Sequence, residues 1–220
     1  MTTVYLIRHS VKYSNDDIDI YRGFKNNHIK DLKIILSVEG EKRAEILADE
    51  KELQNIDAVY SSDCARTMAT AKYMCFKHNL KLNIDKGFNE RKVGTPNCDI
   101  YNDWFERQYL DKKFKTKGGE SQEEVSKRFH RALNKVLKEN ESKRIAIFTH
   151  GYAITFSLLK WCKLESINED RELKLSFNDK VFFNKKLNAP EVFKLIFDKD
   201  KLYSIELIEF NDLPYFKSIK

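Results

Sequence analysis

Hydrophobic positions along the chain fall into short apolar runs that alternate with longer amphipathic stretches. The short runs, rich in β-branched and aromatic residues, predict strands at residues 4–7, 57–61, 80–84 and 144–148. The stretches with partial helical spacing predict helices at residues 37–53, 63–78, 121–139 and 151–161. Strands that alternate with helices are typical of a mostly parallel sheet covered on both faces. We therefore expect an α/β fold, a three-layer α/β/α sandwich around a mostly parallel central sheet.

Two local patterns add detail to this outline. Ser121 is followed three residues later by Glu124, which predicts a capping box at the start of the helix there. Near the end of the sequence, the apolar runs 192–197 and 203–210 predict a hairpin that turns at residues 198–200.

The chain is expected to form a single domain. No internal repeat, low-complexity tract or Pro/Gly-rich linker divides the sequence. The predicted domain covers residues 1–220 and has loop insertions at about 11–36 and 97–119. These loops are rich in aromatic and basic residues, and they either cover a substrate as a lid or pack as ordinary surface loops.

Composition indicates a globular protein of the cytoplasm. Hydrophobic residues make up 41% of the 220 residues and charged residues 34%, enough for one well-buried core. No apolar run approaches the roughly 20 residues that span a bilayer, and no basic-then-apolar leader precedes the first strand. The cysteines show no CxxC pair and no metal-ligand spacing, which fits reduced thiols. They are Cys64, Cys75, Cys98 and Cys162.

The charge balance favours a small anionic ligand over a polyanion or a membrane. The formal net charge is +6, from 40 basic and 34 acidic residues, and the lysines are spread along the chain. Nucleic-acid binding is usually accompanied by a concentrated basic patch. We expect no nucleic-acid or membrane partner, and the oligomeric state is left open, with a homodimer as one option.

Chemically reactive side chains follow the predicted strands. Arg8 and His9 end the first strand, and His150 follows the fourth. Arg66 lies in the first turn of the helix after the second strand, and Glu90 lies in the loop after the third. In open α/β sheets, ligands bind at the carboxyl ends of the strands. Each residue taken singly also fits a structural role, but the set predicts a polar site at one sheet edge.

This combination of residue types is suited to phosphoryl transfer. Arginine forks match phosphate oxygens in a bidentate manner, and a helix N-terminus adds partial positive charge for the same anion. A neutral imidazole is a competent nucleophile, and a second imidazole can stabilise charge on the transferred group. A carboxylic acid can protonate a departing alkoxide. Such a site needs no metal.

Several segments resemble, in order, the motifs of the histidine phosphatase superfamily, the phosphoglycerate mutase-like proteins. Arg8-His9 after a strand is similar to the "RHG" signature of that family. The other matching segments are LSVEGEKRAEIL (36–47), SSDCARTMATA (61–71), FNERKVG (88–94), GGESQEEVSKRF (118–129) and FTHGYAI (148–154). Any one motif is weak, but the ordered set indicates the family, and its phosphatase branch in particular.

The resemblance implies a role for each site residue. His9 would be the phosphorylated nucleophile and Glu90 the general acid. The residues that would hold the phosphoryl group are Arg8, Arg66 and His150. The predicted substrate-binding residues are Asn15, which matches a phosphate-contacting asparagine, Ser62, which matches a position that often supports the nucleophile, and Arg22. The implied activity is that of a histidine acid phosphatase-like phosphoric monoester hydrolase, acting on a small phosphorylated metabolite with no cofactor and no metal.

The sequence departs from the family pattern at three places. Ser10 replaces the glycine after the nucleophile, and Val11-Lys12 replaces the usual Glu/Gln-Thr pair. The "ESxWN" continuation of the glycolytic mutases is missing. A phosphoglycerate-type mutase and a non-catalytic protein that binds a phosphorylated ligand remain as alternatives, and the fold itself does not select a substrate.

Overall fold

The computed structural model describes residues 1–13, 27–94 and 104–210. The strands are β1 Thr2–Arg8, β2 Ala58–Ser61, β3 Leu82–Ile84, β4 Arg144–Thr149, β5 Lys163–Ile167, β6 Leu173–Phe177, β7 Lys180–Lys185, β8 Val192–Asp198 and β9 Lys201–Leu207. The helices are α1 Asn27–Lys33, α2 Val38–Ala48, α3 Ala65–His78, α4 Trp104–Leu110, α5 Gln122–Glu139 and α6 Gly151–Leu158. Single 3₁₀ turns lie at Lys51–Leu53 and Lys86–Phe88.

Six strands form the central sheet in the order β3-β2-β4-β1-β8-β9. The four strands β3, β2, β4 and β1 are parallel, whereas β8 and β9 add an antiparallel edge. The mostly parallel sheet is therefore confirmed. The predicted terminal hairpin is also present, as β8 and β9, although β9 ends at Leu207.

Burial on both faces of β1 shows why the fold has three layers. Val4 and Leu6 are fully buried in a core that includes apolar residues of α5 and α6. Tyr5 and Ile7, which point to the opposite face, are fully buried in a second core with residues of α2 and α3. Successive side chains of a strand alternate between faces, so a central strand covered on both sides is apolar throughout. The predicted α/β/α sandwich is confirmed.

Helix α2 depends on one close approach near its start. Ser37 caps the helix by accepting the backbone N–H of Gly40 at 3.0 Å. A Cβ atom at Gly40 would lie 1.9 Å from the carbonyl oxygen of Val11, so only glycine lets the helix pack against the segment that follows β1. The helix ends at Ala48, and a separate 3₁₀ turn then brings Leu53 into the core. The single helix predicted over 37–53 is thus shorter than expected.

Helix α5 begins as predicted. The Ser121 hydroxyl accepts the backbone N–H of Glu124 at 3.2 Å, and the Glu124 carboxylate accepts the backbone N–H of Ser121 at 2.9 Å. This reciprocal pair is the capping box expected from the sequence.

A second, three-stranded antiparallel sheet of β5, β6 and β7 was not part of the sequence interpretation. Its clearest local signal is the pair Asn178-Asp179 between β6 and β7, where both residues have positive φ, 49° and 60°. Such a pair is typical of a tight hairpin turn. The sheet lies between α6 and β8 in the chain and contributes residues to the cavity described below.

The two predicted loop insertions are only partly described. Helix α1 and the bridge between Lys12 and Leu36 lie in the first, and α4 lies in the second. The extent of the domain over residues 1–220 and the role of these loops stay predictions. None of the helices in the described ranges is long and apolar enough to cross a membrane.

Candidate active site

Two imidazoles meet at the carboxyl edge of the central sheet. His9 follows β1 and His150 follows β4, and these strands pair in parallel with Arg8 opposite Thr149. The backbone N–H of His9 donates to the Thr149 carbonyl at 2.9 Å. The two ring centroids lie 5.3 Å apart with an interplanar angle of 65°. Neighbouring strands that end at the same level therefore place both histidines side by side.

A hydrogen bond to the backbone fixes the tautomer of His9. Its Nδ1 lies 2.7 Å from the carbonyl oxygen of Ser10. Since a carbonyl oxygen only accepts, Nδ1 carries the proton and Nε2 keeps its lone pair. Burial lowers the pKa of this imidazole well below its usual value, and the charges of Arg66 and Arg8 lower it further. His9 is thus a neutral ring whose Nε2 is available as a nucleophile.

His150 is held by a chain of hydrogen bonds behind His9. Arg66 donates from Nη2 to Nδ1 of His150 at 2.9 Å, so Nε2 of His150 carries the proton and donates to the Ser62 hydroxyl at 2.9 Å. Ser62 lies 2.6 Å from the hydroxyl of Thr67, which donates to the Cys64 carbonyl at 2.8 Å. Burial, then the nearby charge of Arg66, lowers the pKa of His150 well below its usual value. Both imidazoles are therefore neutral.

Arg66 already has an anionic partner. Its side chain is buried, and its Nη2 lies 3.1 Å from a carboxylate oxygen of Asp31 in α1. Nη1 also donates to the backbone carbonyl of Asp31. Nε of Arg66 has no hydrogen-bond partner among the described residues. Asp31 thus engages both terminal nitrogens of the guanidinium to which the sequence assigns a phosphoryl group, Nη2 through its carboxylate and Nη1 through its backbone carbonyl.

Arg8 is anchored beside His9 by backbone oxygens. Its Nη1 donates to the carbonyls of Leu187 at 2.7 Å and Asn188 at 3.1 Å, and its buried Nε has no partner in the described parts of the chain. Burial lowers the pKa of the guanidinium, while Glu90 opposes this shift. Arginine stays charged in proteins, so Arg8 is a fixed cation at the site.

Glu90 is tied to the start of α6. Its Oε1 accepts the backbone N–H groups of Arg91 at 2.9 Å and Ala153 at 3.1 Å. Since α6 starts directly after His150, the first turn of α6 fixes the position of both the Glu90 carboxyl group and the His150 ring.

The segment that carries Glu90 is also fastened from outside the site. Arg128 of α5 donates to three backbone carbonyls within residues 87–90, at 2.8 to 3.0 Å. The same guanidinium forms two bonds to the Glu120 carboxylate, at 2.8 and 3.0 Å, and Glu120 accepts the backbone N–H of Lys92 at 2.9 Å. Burial raises the pKa of Glu120, but the bonds to Arg128 outweigh it and lower the pKa. Glu120 is therefore an ionised partner of Arg128 rather than a proton donor.

A cavity of about 370 Å³ opens beside these groups and is lined from both sheets. His9 lines it, together with aromatic residues of α4 and α6, namely Phe105, Tyr109 and Tyr152. The charged residues that line it are six basic ones, Arg8, Lys12, Arg66, Arg91, Arg171 and Lys186, and two acidic ones, Asp31 and Glu90. The cavity is therefore suited to anions.

Five of these charged residues were not predicted as site residues from the sequence: Lys12, Asp31, Arg91, Arg171 and Lys186. Lys12 was noted only as a departure from the family pattern, and Arg91 directly follows the predicted acid within a matched segment. The other three lie outside every motif and come from α1, the β5–β6 turn and the segment after β7. Only the three-dimensional arrangement brings them to the cavity.

The structure describes two of the remaining residues singled out in the sequence, Ser62 and Ser10, and does not describe the other two, Asn15 and Arg22. Ser62 bonds to His150, and its role in substrate binding stays a prediction. Asn15 and Arg22 lie outside the described residues. Ser10 is fully buried, its backbone N–H donates to the Thr70 hydroxyl at 3.0 Å, and its φ is not positive. The backbone therefore accepts a serine where the family pattern has glycine, but the buried Ser10 hydroxyl has no hydrogen-bond partner among the described residues.

The charges around the site favour anions. Within the described ranges, no group of three His, Cys, Asp or Glu side chains is arranged to hold a metal ion. The arginines and the N-terminus of α6 supply the positive potential.

Comparison with known proteins identifies the family. A model of the histidine phosphatase superfamily (branch 1) matches residues 4–176. Phosphoserine phosphatase 1 of Hydrogenobacter thermophilus is 27% identical in an alignment 159 residues long, which covers 68% of this chain and 71% of that protein.

Solved structures show the same fold. The mycobacterial glucosyl-3-phosphoglycerate phosphatase is 16% identical, with a TM-score of 0.63, over 95% of this chain and 98% of that one. A mutant phosphoserine phosphatase of Entamoeba histolytica in complex with phosphoserine is 21% identical, with a TM-score of 0.61, over 98% and 99%. The family model covers most of the chain, so the resemblance seen in the sequence is confirmed: this chain belongs to the histidine phosphatase superfamily.

Proposed function

We propose that the protein hydrolyses the phosphoric monoester of a small metabolite through a phosphohistidine at His9, without a metal ion. The family supports phosphatase activity, and relatives named for phosphoserine and glucosyl-3-phosphoglycerate support a small phosphorylated substrate. The observation that carries the proposal is the neutral His9 ring, whose Nδ1–H donates to the Ser10 carbonyl, in a cavity that Arg8 and Arg66 also line.

In the first step, the phosphoryl group passes from substrate to His9. The phosphoryl oxygens replace the Asp31 carboxylate on the fork of Arg66, and Arg8 supplies a second cation. The Nε2 lone pair of His9 forms a bond to phosphorus as the ester P–O bond breaks. Protonated Glu90 gives its proton to the departing oxygen, so the leaving group departs as an alcohol. The Nδ1 bond to the Ser10 carbonyl stabilises the positive charge that the ring acquires.

In the second step, water regenerates the enzyme. The Glu90 carboxylate removes a proton from water, the water oxygen bonds to phosphorus, and the N–P bond breaks. The electron pair of that bond returns to Nε2, which leaves inorganic phosphate and neutral His9. Glu90 ends protonated and ready for the next cycle.

Measurement of phosphate release tests this proposal. Phosphorylated metabolites are incubated with the protein in the presence of EDTA, and the phosphoenzyme is trapped at alkaline pH, where phosphohistidine persists. We expect release from at least one compound and a label on His9, both lost in His9→Ala. His78→Ala, which removes a histidine remote from the cavity, serves as the control and should keep full activity.

Three outcomes would count against it. Folded protein that releases phosphate from no compound supports the alternative of a non-catalytic binding protein. Isomerised phosphate ester as the main product, in place of free phosphate, supports the mutase. Activity that EDTA abolishes and added metal restores contradicts the metal-independent step.

A further inference from the structure

The charge of the cavity exceeds what one phosphoryl group neutralises. Six basic and two acidic residues line it, a formal excess of four positive charges with both histidines neutral and both carboxylates ionised, and of five when Glu90 is protonated as the proposed first step requires. A phosphate monoester dianion compensates two of these. Three of the basic residues lie away from His9 in the chain: Arg91 and Arg171 contact aromatic rings of the cavity, and Lys186 follows β7.

Arg91 is a buried cation without a carboxylate partner. It is 5% exposed, it takes part in no ion pair among the described residues, and its Nε has no hydrogen-bond partner there. Its guanidinium carbon lies 3.7 Å from the ring centroid of Tyr152 and 4.5 Å from that of Trp104. The Arg91 side chain also forms a hydrogen bond with the Tyr152 hydroxyl. These aromatic contacts stabilise the guanidinium in part but supply no negative charge to neutralise it.

Arg171 reaches the same wall from the second sheet. Its guanidinium carbon lies 3.8 Å from the ring centroid of Phe105, a ring that stacks on Tyr152 at 6.0 Å. The residue sits in the β5–β6 turn with φ at 65°, a conformation that is costly for a non-glycine residue. Bonds between Asn168 and Glu172 close the turn and hold it in that conformation.

Lys186 completes the group. It follows β7 and lines the cavity next to Leu187, whose carbonyl accepts the Arg8 side chain. Three cations from three separate segments thus line one cavity with the nucleophile, and none of them is needed to hold a phosphoryl group on Arg8 and Arg66.

We propose that Arg91, Arg171 and Lys186 form a second anion subsite, which binds a carboxylate or a second phosphate on the non-reacting part of the substrate. The preferred substrates are then small molecules that carry a second anionic group besides the reacting phosphate. This inference rests on the proposed function for the first subsite. Carboxylate and phosphate share the oxygen geometry that a guanidinium fork matches, so either group fits.

Matched pairs of ligands test the subsite. 3-Phosphoglycerate is compared with glycerol 3-phosphate, which has a hydroxymethyl group in place of the carboxylate, and 1,3-propanediol bisphosphate with propyl phosphate. Each is measured by kcat/KM with the wild-type protein and by calorimetric binding to His9→Ala. The variants Arg171→Gln and Lys186→Gln are compared with Arg131→Gln and Lys180→Gln, which remove exposed cations outside the cavity.

We expect kcat/KM or the binding affinity of at least one ligand with two anionic groups to exceed that of its matched partner by about tenfold or more. Arg171→Gln and Lys186→Gln should each lose about 5- to 50-fold for that ligand and less than twofold for the partner whose only anionic group is the reacting phosphate. The pair that contains 3-phosphoglycerate tests a carboxylate as the second anion, and the pair that contains the bisphosphate tests a second phosphate. The two control variants should change neither.

The inference is overturned if the wild-type protein binds both members of each pair equally, or if the variants weaken both members alike. Absence of turnover with every ligand would count against the proposed function alone. The binding measurements on His9→Ala would then still show whether the second subsite exists.

Discussion

Asp31 forms an ion pair with Arg66, at 3.1 Å, inside the cavity that also holds the proposed nucleophile. The arginine is buried, whereas the carboxylate is partly exposed on α1. Under the proposed function, a substrate phosphoryl group would compete with Asp31 for the Arg66 guanidinium. The carboxylate keeps the buried Arg66 cation paired, which is far less costly than leaving that charge unpaired.

Asp31→Asn should tighten anion binding. The substitution removes the competing charge, but the backbone carbonyl of Asp31 still accepts a bond from Arg66, so the gain is limited. We expect the inhibition constant of orthovanadate and the KM for substrate to fall about two- to tenfold, as suits a partly exposed pair. Asp200→Asn, in the exposed β8–β9 turn, is the control. Unchanged or weaker vanadate inhibition in Asp31→Asn would show that the pair does not compete with phosphate.

The fork of Arg66 predicts that lysine cannot replace it. Arg66→Lys keeps the charge but loses the planar pair of donors, and with it the bonds to Asp31 and His150. We expect kcat/KM to fall by at least about 30-fold, while circular dichroism stays native. Near-normal kcat/KM in this variant would contradict a bidentate role.

Glu90→Gln should separate substrates by their leaving group. An alkyl phosphate needs a proton as the alkoxide leaves, so loss of the acid should slow formation of phospho-His9 by about 10²–10⁴-fold. With p-nitrophenyl phosphate the phenolate is stable, and the same step should slow far less. Single-turnover kinetics are required, because in the proposed mechanism hydrolysis of phospho-His9 also uses Glu90. Equal slowing of both substrates would assign Glu90 a purely structural role.

Arg128→Gln should show the same dependence on the leaving group as Glu90→Gln, with smaller losses of rate. Arg128 holds the backbone of residues 87–90 and touches no reacting atom, so its effect acts through the position of Glu90. We expect a greater loss of kcat for alkyl phosphates than for p-nitrophenyl phosphate. The change should also lower the free energy of unfolding by about 2–4 kcal/mol, because Glu120 is left without its partner. If only stability changes, Arg128 does not position the acid.

The two buried imidazoles predict that stability rises with pH. Burial lowers the pKa of His9 and His150 well below 6.5, so between the lowered value and 6.5 the unfolded chain binds protons that the folded chain does not. Their stabilising contribution is complete above pH 6.5 and is lost as the pH falls below it. Each histidine should contribute up to about 1.4 kcal/mol per pH unit to the slope. Urea unfolding of His9→Gln between pH 5 and 7 should show a slope smaller by this amount, and an unchanged slope would contradict the assignment.

The sequence allowed the main strands and the two histidines to be predicted for one physical reason. An apolar strand buried on both faces has a local signature, and a polar residue directly after it must lie at the sheet edge. His9 and His150 are such residues, and the parallel pairing of β1 with β4 then makes them neighbours. The capping box at Ser121 is equally local.

Other parts of the site depend on contacts between distant segments. Asp31 reaches Arg66 only because α1 packs near α3, and Arg171 reaches Phe105 only because the second sheet stands beside α4. Neither residue differs in its sequence neighbourhood from an ordinary surface residue. Glu120 and Arg128 belong to a recognisable motif, but the motif does not indicate that they hold the segment that carries Glu90. Those bonds depend on how α5 packs against that segment.

The place of β1 in the sheet has a consequence for biosynthesis. This first strand is held between β4 and β8, so the loop that carries His9 lacks both of its supports until residues 144–149 and 192–198 have been made. Contacts between such distant parts of a chain form slowly. A nascent chain therefore gains the proposed nucleophile site only after residues 192–198 have left the ribosome. Recovery of anion binding during refolding would then report closure of the whole sheet rather than of a local fragment.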